Sequence, residues 1–211
     1  EVMPVLELIA VVVHASPGKD GMYRSRIDRA IIQTHLDAAR RHKALLLLNV
    51  QPGRAKFIDE VRALEPWLRE PDVGLALDPE WAVKGSGVPG RVFGQTTGAE
   101  INEVQSYVSQ LVARESLPQK AIVVHQLSPQ IIRTEAAIKR YPGVALIKSV
   151  DGIGPPGAKR GTWTRLTKGM AKAFHPGFKL FYVEDEEGAS RLMTPAEVMA
   201  LRPLPEYVMY E

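Results

Sequence analysis

Leu45-Leu46-Leu47-Leu48-Asn49-Val50-Gln51 and Val73-Gly74-Leu75-Ala76-Leu77-Asp78-Pro79-Glu80-Trp81 are two short apolar runs that each end in polar residues. Continuous apolar runs this short, bounded by turn-forming residues, read as strands buried on both faces. Working outward, the same pattern recurs at 5–14, 121–126, 144–150, 179–184 and 207–210, which makes seven strand candidates. Helical spacing of apolar residues fills the intervals at about 27–43, 55–69, 97–115, 130–140, 162–174 and 195–201. Thr97 with Glu100 and Thr194 with Glu197 have capping-box spacing, and Pro129 and Pro195 suit a first helical turn. In the helix at 27–43, Ile31, Ile32, Leu36 and Ala39 form the stripe expected to pack on the outside of the sheet.

Strands that alternate with helices imply a parallel sheet, because parallel neighbours need a crossover and helices then cover the sheet. The strand ends favour closure. His14, Asn49, Gln51, Asp78, Glu80, His125, Gln126, Lys148, Asp151, Glu184, Asp185, Tyr210 and Glu211 all lie at or just beyond the C-terminal end of a strand candidate. An open sheet uses a few strand ends at one crevice, whereas a barrel gathers all of them around one mouth. The expectation is a single α/β domain over 1–211, a TIM-like parallel (β/α) barrel with seven strands visible. An eighth strand would precede residue 1, hide within 1–14, or be absent.

With 45% hydrophobic and 24% charged residues, the 211-residue chain has material for a large core and is not a disordered or collagen-like sequence. The longest uninterrupted apolar run, residues 8–13, is too short for a membrane-spanning helix. A balance of 27 basic to 24 acidic residues, with no basic stripe, gives no argument for nucleic acid. With zero cysteines there is no disulfide framework, thiol nucleophile or thiolate metal site. A first residue other than Met fits a removed export signal.

The strand period places Gly74, Ala76, Asp78 and Glu80 on one face and Val73, Leu75 and Leu77 on the other. If the apolar set meets the helices, two carboxylates stand together at the barrel mouth and perturb each other's protonation. Such a pair is what glycoside hydrolysis needs: one acid for the leaving oxygen, and one base, nucleophile or stabiliser of charge on the sugar. Trp81 would stack on the sugar, and Asp151 is placed across the mouth from Glu80. The plain alternative is that Asp78 caps a turn and Glu80 is solvated.

Asn49, Gln51, His14, His125, Gln126, Lys148, Glu184 and Tyr210 are the remaining candidate substrate contacts. For Asn49 and Gln51 the alternative is satisfying loop backbone, and for the histidines it is packing. The Gly- and Pro-containing loops at 84–96 and 153–160 are candidate lids. No zinc motif, phosphate-binding loop, dinucleotide fingerprint or serine-nucleophile elbow occurs. No cofactor is called for, although Mg²⁺ or Ca²⁺ held by Asp78, Glu80, Asp151 or Glu184 is an open alternative.

The runs 73–81, Leu46-Leu47-Leu48-Asn49-Val50-Gln51-Pro52-Gly53, Ser149-Val150-Asp151-Gly152 and Pro205-Glu206-Tyr207-Val208-Met209-Tyr210-Glu211 together resemble a group of exported actinobacterial proteins, over nearly the whole chain. That resemblance implies export, to the envelope or the medium, and brings no activity with it. The Asp78-Pro79-Glu80 triplet is also similar to the Asp-x-Glu pair of the family-25 glycoside hydrolases, which are barrel lysozymes. This second resemblance implies Glu80 as proton donor and Asp78 as the group that stabilises or positions a reacting N-acetyl group. The expected function is hydrolysis of a cell-envelope or environmental carbohydrate. A noncatalytic carbohydrate-binding barrel and a metal-dependent phosphodiesterase or lyase are the alternatives.

Overall fold

A computed structural model describes residues 2–188 and 190–211. The elements run β1 (Val5–Val13), β2 (Arg24–Arg26), α1 (Arg29–Arg41), β3 (Leu45–Val50), α2 (Phe57–Ala63), α3 (Glu65–Leu68), β4 (Val73–Leu77), β5 (Thr96–Thr97) and α4 (Gly98–Glu115). Then come β6 (Lys120–Gln126), β7 (Ile132–Arg133), β8 (Val144–Val150), α5 (Pro156–Thr167), β9 (Phe174–Leu180), α6 (Pro195–Met199) and β10 (Tyr207–Tyr210). Eight strands make one sheet in the order β10-β9-β8-β6-β4-β3-β1-β2. From β1 to β10 each neighbour is parallel, whereas β2 runs antiparallel to β1.

The sheet curls but does not close, and this corrects the expected TIM-like barrel. β10 and β2 are its two edges, and no ladder joins β10 to β1. The curl is strong enough that the Tyr207 hydroxyl on β10 approaches Glu7 Oε2 on β1, 3.4 Å away. Closure fails for a local reason. The flank of β1 that a closing strand would need is already occupied at Val11–Val13 by β2, and β10 contributes only four residues to the other edge. The β2 hairpin strand, with the sequence Arg24-Ser25-Arg26, carries no apolar pattern and was not legible as a strand.

The convex face carries most of the core. Leu46, Leu48, Leu75, Leu77, Ile122 and Val124 are essentially fully buried there, against helix residues such as Leu36, Val61 and Val104. Both expected capping boxes form, at the start of α4 and of α6. In α1, Ile32, Leu36 and Ala39 pack inward as expected, but Ile31 is 46% exposed and lies off the stripe.

Other local expectations are corrected. The strand expected at 179–184 is β9, five residues earlier, disguised by Pro176 and Gly177 in its middle. Gly177 is required there, since a Cβ would lie 2.9 Å from Lys148 O and 3.1 Å from the Tyr207 ring. The helix expected at 130–140 is replaced by β7 and a single 3-10 turn at 135–137, so Pro129 opens no helix. The helix expected at 162–174 is α5, which starts at Pro156 and absorbs residues 156–160 of one candidate lid. No helix among the described residues is long and apolar enough to cross a membrane.

Candidate functional site: a carboxylate cluster on the concave face

Inward-facing side chains form a polar network centred on His125, with a Gln51–Asp78 pair beside it. His125, fully buried on β6, uses both ring nitrogens. Nδ1 lies 2.6 Å from Asp151 Oδ2, just beyond β8, and Nε2 lies 3.0 Å from Glu7 Oε1 on β1. Asp151 also accepts from Ser149 Oγ at 2.7 Å and pairs with Lys179 Nζ at 3.6 Å, which itself reaches Glu211 at 2.5 Å. Glu7 accepts from Asn49 Nδ2 at 2.6 Å. Gln51 Nε2 donates to Asp78 Oδ2 at 3.1 Å, just past the end of β4.

Two ring nitrogens each facing a carboxylate define a protonated imidazole. Burial opposes this, but the charges of Asp151, Glu7 and Asp78 outweigh it and hold His125 well above its ordinary value. Reciprocally, burial would raise Glu7 and Asp151, yet the His125 charge and hydrogen bonds keep both below the usual carboxylate range. Burial also works against Lys179, but Asp151 and Glu211 hold its ammonium charged.

Asp78 and Glu80 behave oppositely. Burial pushes Asp78 up, and the charges of Asp151 and Glu7 add to that. Glu80, in the 3-10 turn at 79–81, is pushed up to about 8, first by burial and then by the charges of Asp78 and Asp151. Its Oε2 is buried without a hydrogen-bond partner among the described residues, as is Asn49 Oδ1. The four carboxyls thus fall into two held low by His125, Glu7 and Asp151, and two pushed up by burial and like charge, Asp78 and Glu80, a separation of the kind that marks acid–base assignments.

Asp78, His125 and Asp151 each offer a ligand-type atom within 4.8 Å of the other two. With both imidazole nitrogens committed to carboxylates, these atoms form a charge-paired network, and a cation would have to displace a proton and one of those contacts.

The cluster lines a cavity of about 1560 Å³, which also receives Trp81, Phe93, Ile153, Phe181, Tyr207 and Tyr210. Among the residues expected at the site, Asn49, Gln51, Asp78, Glu80, Trp81, Asp151 and Tyr210 line this cavity, and His125 lies behind it. Four others are elsewhere. His14 is exposed at the β1–β2 connection and contacts Ser25 Oγ. Gln126 and Lys148 are one residue out of phase with the concave face. Gln126 donates to Ser128 O, while Lys148 is buried beneath α5 with Glu135 and Leu166 O. Glu184 is exposed in a 3-10 turn past β9. Neither candidate lid is free, since Gly94 N donates to Glu80 O, Gly154 N donates to Asp185, and Lys159 holds both Asp185 and Gly152 O.

Glu7, Ser149, Lys179 and Tyr207 are the members that sequence reasoning missed. Glu7 had a signal: one charge inside the apolar run 5–13, in phase with Val5 and Ile9. Lys179 was lost with the misplaced β9. No protein-family model, curated protein or solved structure matches the chain.

Proposed function

We propose that the chain hydrolyses a glycosidic bond, with Glu80 as proton donor and Asp78 as its partner carboxyl. The observation that carries this reading is the half-buried Glu80, whose Oε2 is buried and unpartnered among the described residues, held protonated to about pH 8 at the wall of a large cavity. A protonated carboxyl with a free oxygen delivers its proton to the leaving oxygen as the C–O bond breaks. Positive charge then develops on the sugar, and Asp78, positioned by Gln51, is the adjacent group to stabilise it. Water supplies hydroxide to the sugar, and its remaining proton returns to Glu80.

Asp151, expected as an alternative partner, is clamped by His125, Ser149 and Lys179. In this reading it acts through charge, keeping Glu80 protonated. Trp81, Phe93 and Tyr210 supply flat apolar faces at the mouth, with Tyr182 stacked on Tyr210 at 5.5 Å. The resemblances described above support a substrate of the cell envelope or the medium.

Glu80→Gln keeps the side-chain shape and removes the transferable proton, so turnover should fall by roughly 10²- to 10⁴-fold while ligand affinity holds. Activity of the parent should decline as pH rises through about 8. Undiminished hydrolysis by Glu80→Gln would remove Glu80 from the mechanism. EDTA should leave the rate unchanged; loss of activity restored by Mg²⁺ or Ca²⁺ would transfer the reading to metal-assisted chemistry.

A further inference from the structure

The cavity that holds Glu80 continues past the carboxylates along the concave face, and its lining changes character on the way. Beside Glu80 are the polar cluster and the aromatic rings of Trp81 and Phe93. Toward the N-terminal ends of the strands the walls are mostly aliphatic, with Val5, Leu45, Leu47, Ala121 and Ile147 interrupted by Glu7, which is held by His125, Asn49 and Tyr207, and by Glu206 at the rim. In a closed barrel, side chains from opposite strands fill this interior in layers. Here only Leu47, Ala76 and Val123 are fully packed in the concave cluster, with Val5, Ala121, Ile147 and Tyr207 half-covered around them. The missing side of the ring therefore leaves a trough, rimmed by Leu6 and Ile9 of β1 and by Val208 and Met209 of β10 and crossed at one point by the Tyr207–Glu7 contact.

An aliphatic wall gives water too few hydrogen-bond partners and would leave sugar hydroxyls unsatisfied. A hydrocarbon chain loses nothing there and gains from leaving water. We propose that the site takes an amphiphilic glycoside, with its sugar at Glu80 and Asp78 and a hydrocarbon aglycone lying in the trough between β1 and β10. The cleavage rests on the glycosidase reading; the binding of the tail does not. The mostly aliphatic far wall, whose few polar groups are already engaged with one another or with His125, Asn49 and His175, selects this occupant over a polysaccharide, which would require free hydrogen-bonding or aromatic walls along its whole length.

The test uses the full chain carrying Glu80→Gln, so that ligands are bound but not consumed. Calorimetry would compare methyl, hexyl and octyl β-D-glucopyranosides, the matching N-acetyl-β-D-glucosaminides, and 1-octanol alone, all below micelle-forming concentrations. Affinity should rise by about threefold to fourfold per methylene until the trough is filled, with a negative heat-capacity change, and 1-octanol should bind alone. Ala121→Phe, which fills the trough, and Val5→Gln, on the half-buried edge strand, should each flatten this rise. Circular dichroism would confirm that both variants are folded.

Methyl and octyl ligands that bind within twofold of each other, with no binding of 1-octanol, would overturn the proposal. The same follows if the rise survives both variants. In the parent chain, cleavage independent of aglycone length would sink the trough but keep Glu80. Length-dependent binding without cleavage of any glycoside would sink the hydrolase reading but keep the trough.

Discussion

On the convex face of the sheet, Leu46, Leu48, Leu75, Leu77, Ile122 and Val124 meet helices and exclude water almost completely. On the concave face, the residues between them, Leu47, Asn49, Ala76, Asp78, Val123 and His125, meet one another, a polar network and an open cavity. The two sets come from the same strands and differ by one residue in phase. Burial on the convex side supplies hydrophobic stabilisation, whereas the concave side holds oxygens unpartnered among the described residues and carboxyls pushed toward their neutral form. One face of each strand is spent on stability, and the other carries chemistry at stability's expense.

The largest test of this division is Glu80→Gln, which should abolish most turnover and yet not weaken the fold. The parent carboxyl has an ordinary value of 4.5 and is raised to about 8 in the fold. It therefore imposes no penalty below about 4.5, a growing one between 4.5 and 8, and a constant one above. The variant should gain stability over the parent through that window in urea titrations at stepped pH. A variant less stable than the parent at pH 9 would break the comparison.

Next in size is His125→Gln. Removing the cation leaves Glu7 with only Asn49 and Tyr207, and Asp151 with only Ser149 and the more distant Lys179, at a cost of about 3–5 kcal/mol in chemical denaturation. The cost should shrink on acidification, as those carboxylates take up protons. A pH-independent loss would mean that His125 matters for its volume and not its charge.

Leu75→Ala on the convex face should cost about 2–5 kcal/mol, because it opens a void in a closed core. Ile147→Ala on the concave face borders an existing void and should cost less than about 2 kcal/mol. Equal losses would show that the concave face is as tightly packed as the convex one. The smallest effect expected is about 1 kcal/mol for Thr97→Ala, which removes the capping box of α4, a helix that packs the convex face through Ile101, Val104, Val108 and Leu111. A change within error would place the cap outside the convex face's stability.

Much of this architecture was legible in single residues. Leu45–Val50 and Val73–Leu77 declared themselves as doubly buried strands, and the register of Gly74, Ala76 and Asp78 already placed that aspartate on the inner face. The helix starts at Thr97 and Thr194 were equally plain, because a capping box is written within four consecutive residues. Where the local pattern was broken, reading failed: Pro176-Gly177 concealed β9 and, with it, Lys179.

Phase along a strand follows from alternation between adjacent residues, so composition and spacing alone assign Asp78 and His125 to one face. Closure is different. It depends on twist and stagger summed over every strand and on what else claims the last edge, here the unpatterned Arg24-Ser25-Arg26 strand. The same holds for the network itself. Glu7 and His125 are 118 positions apart and Glu7 and Tyr207 are 200 apart, so no spacing rule links them. Only the curl of the sheet brings β1 within reach of β6 and β10, and with that contact comes the charge that separates the clamped Glu7 and Asp151 from Asp78 and Glu80, which are pushed the other way.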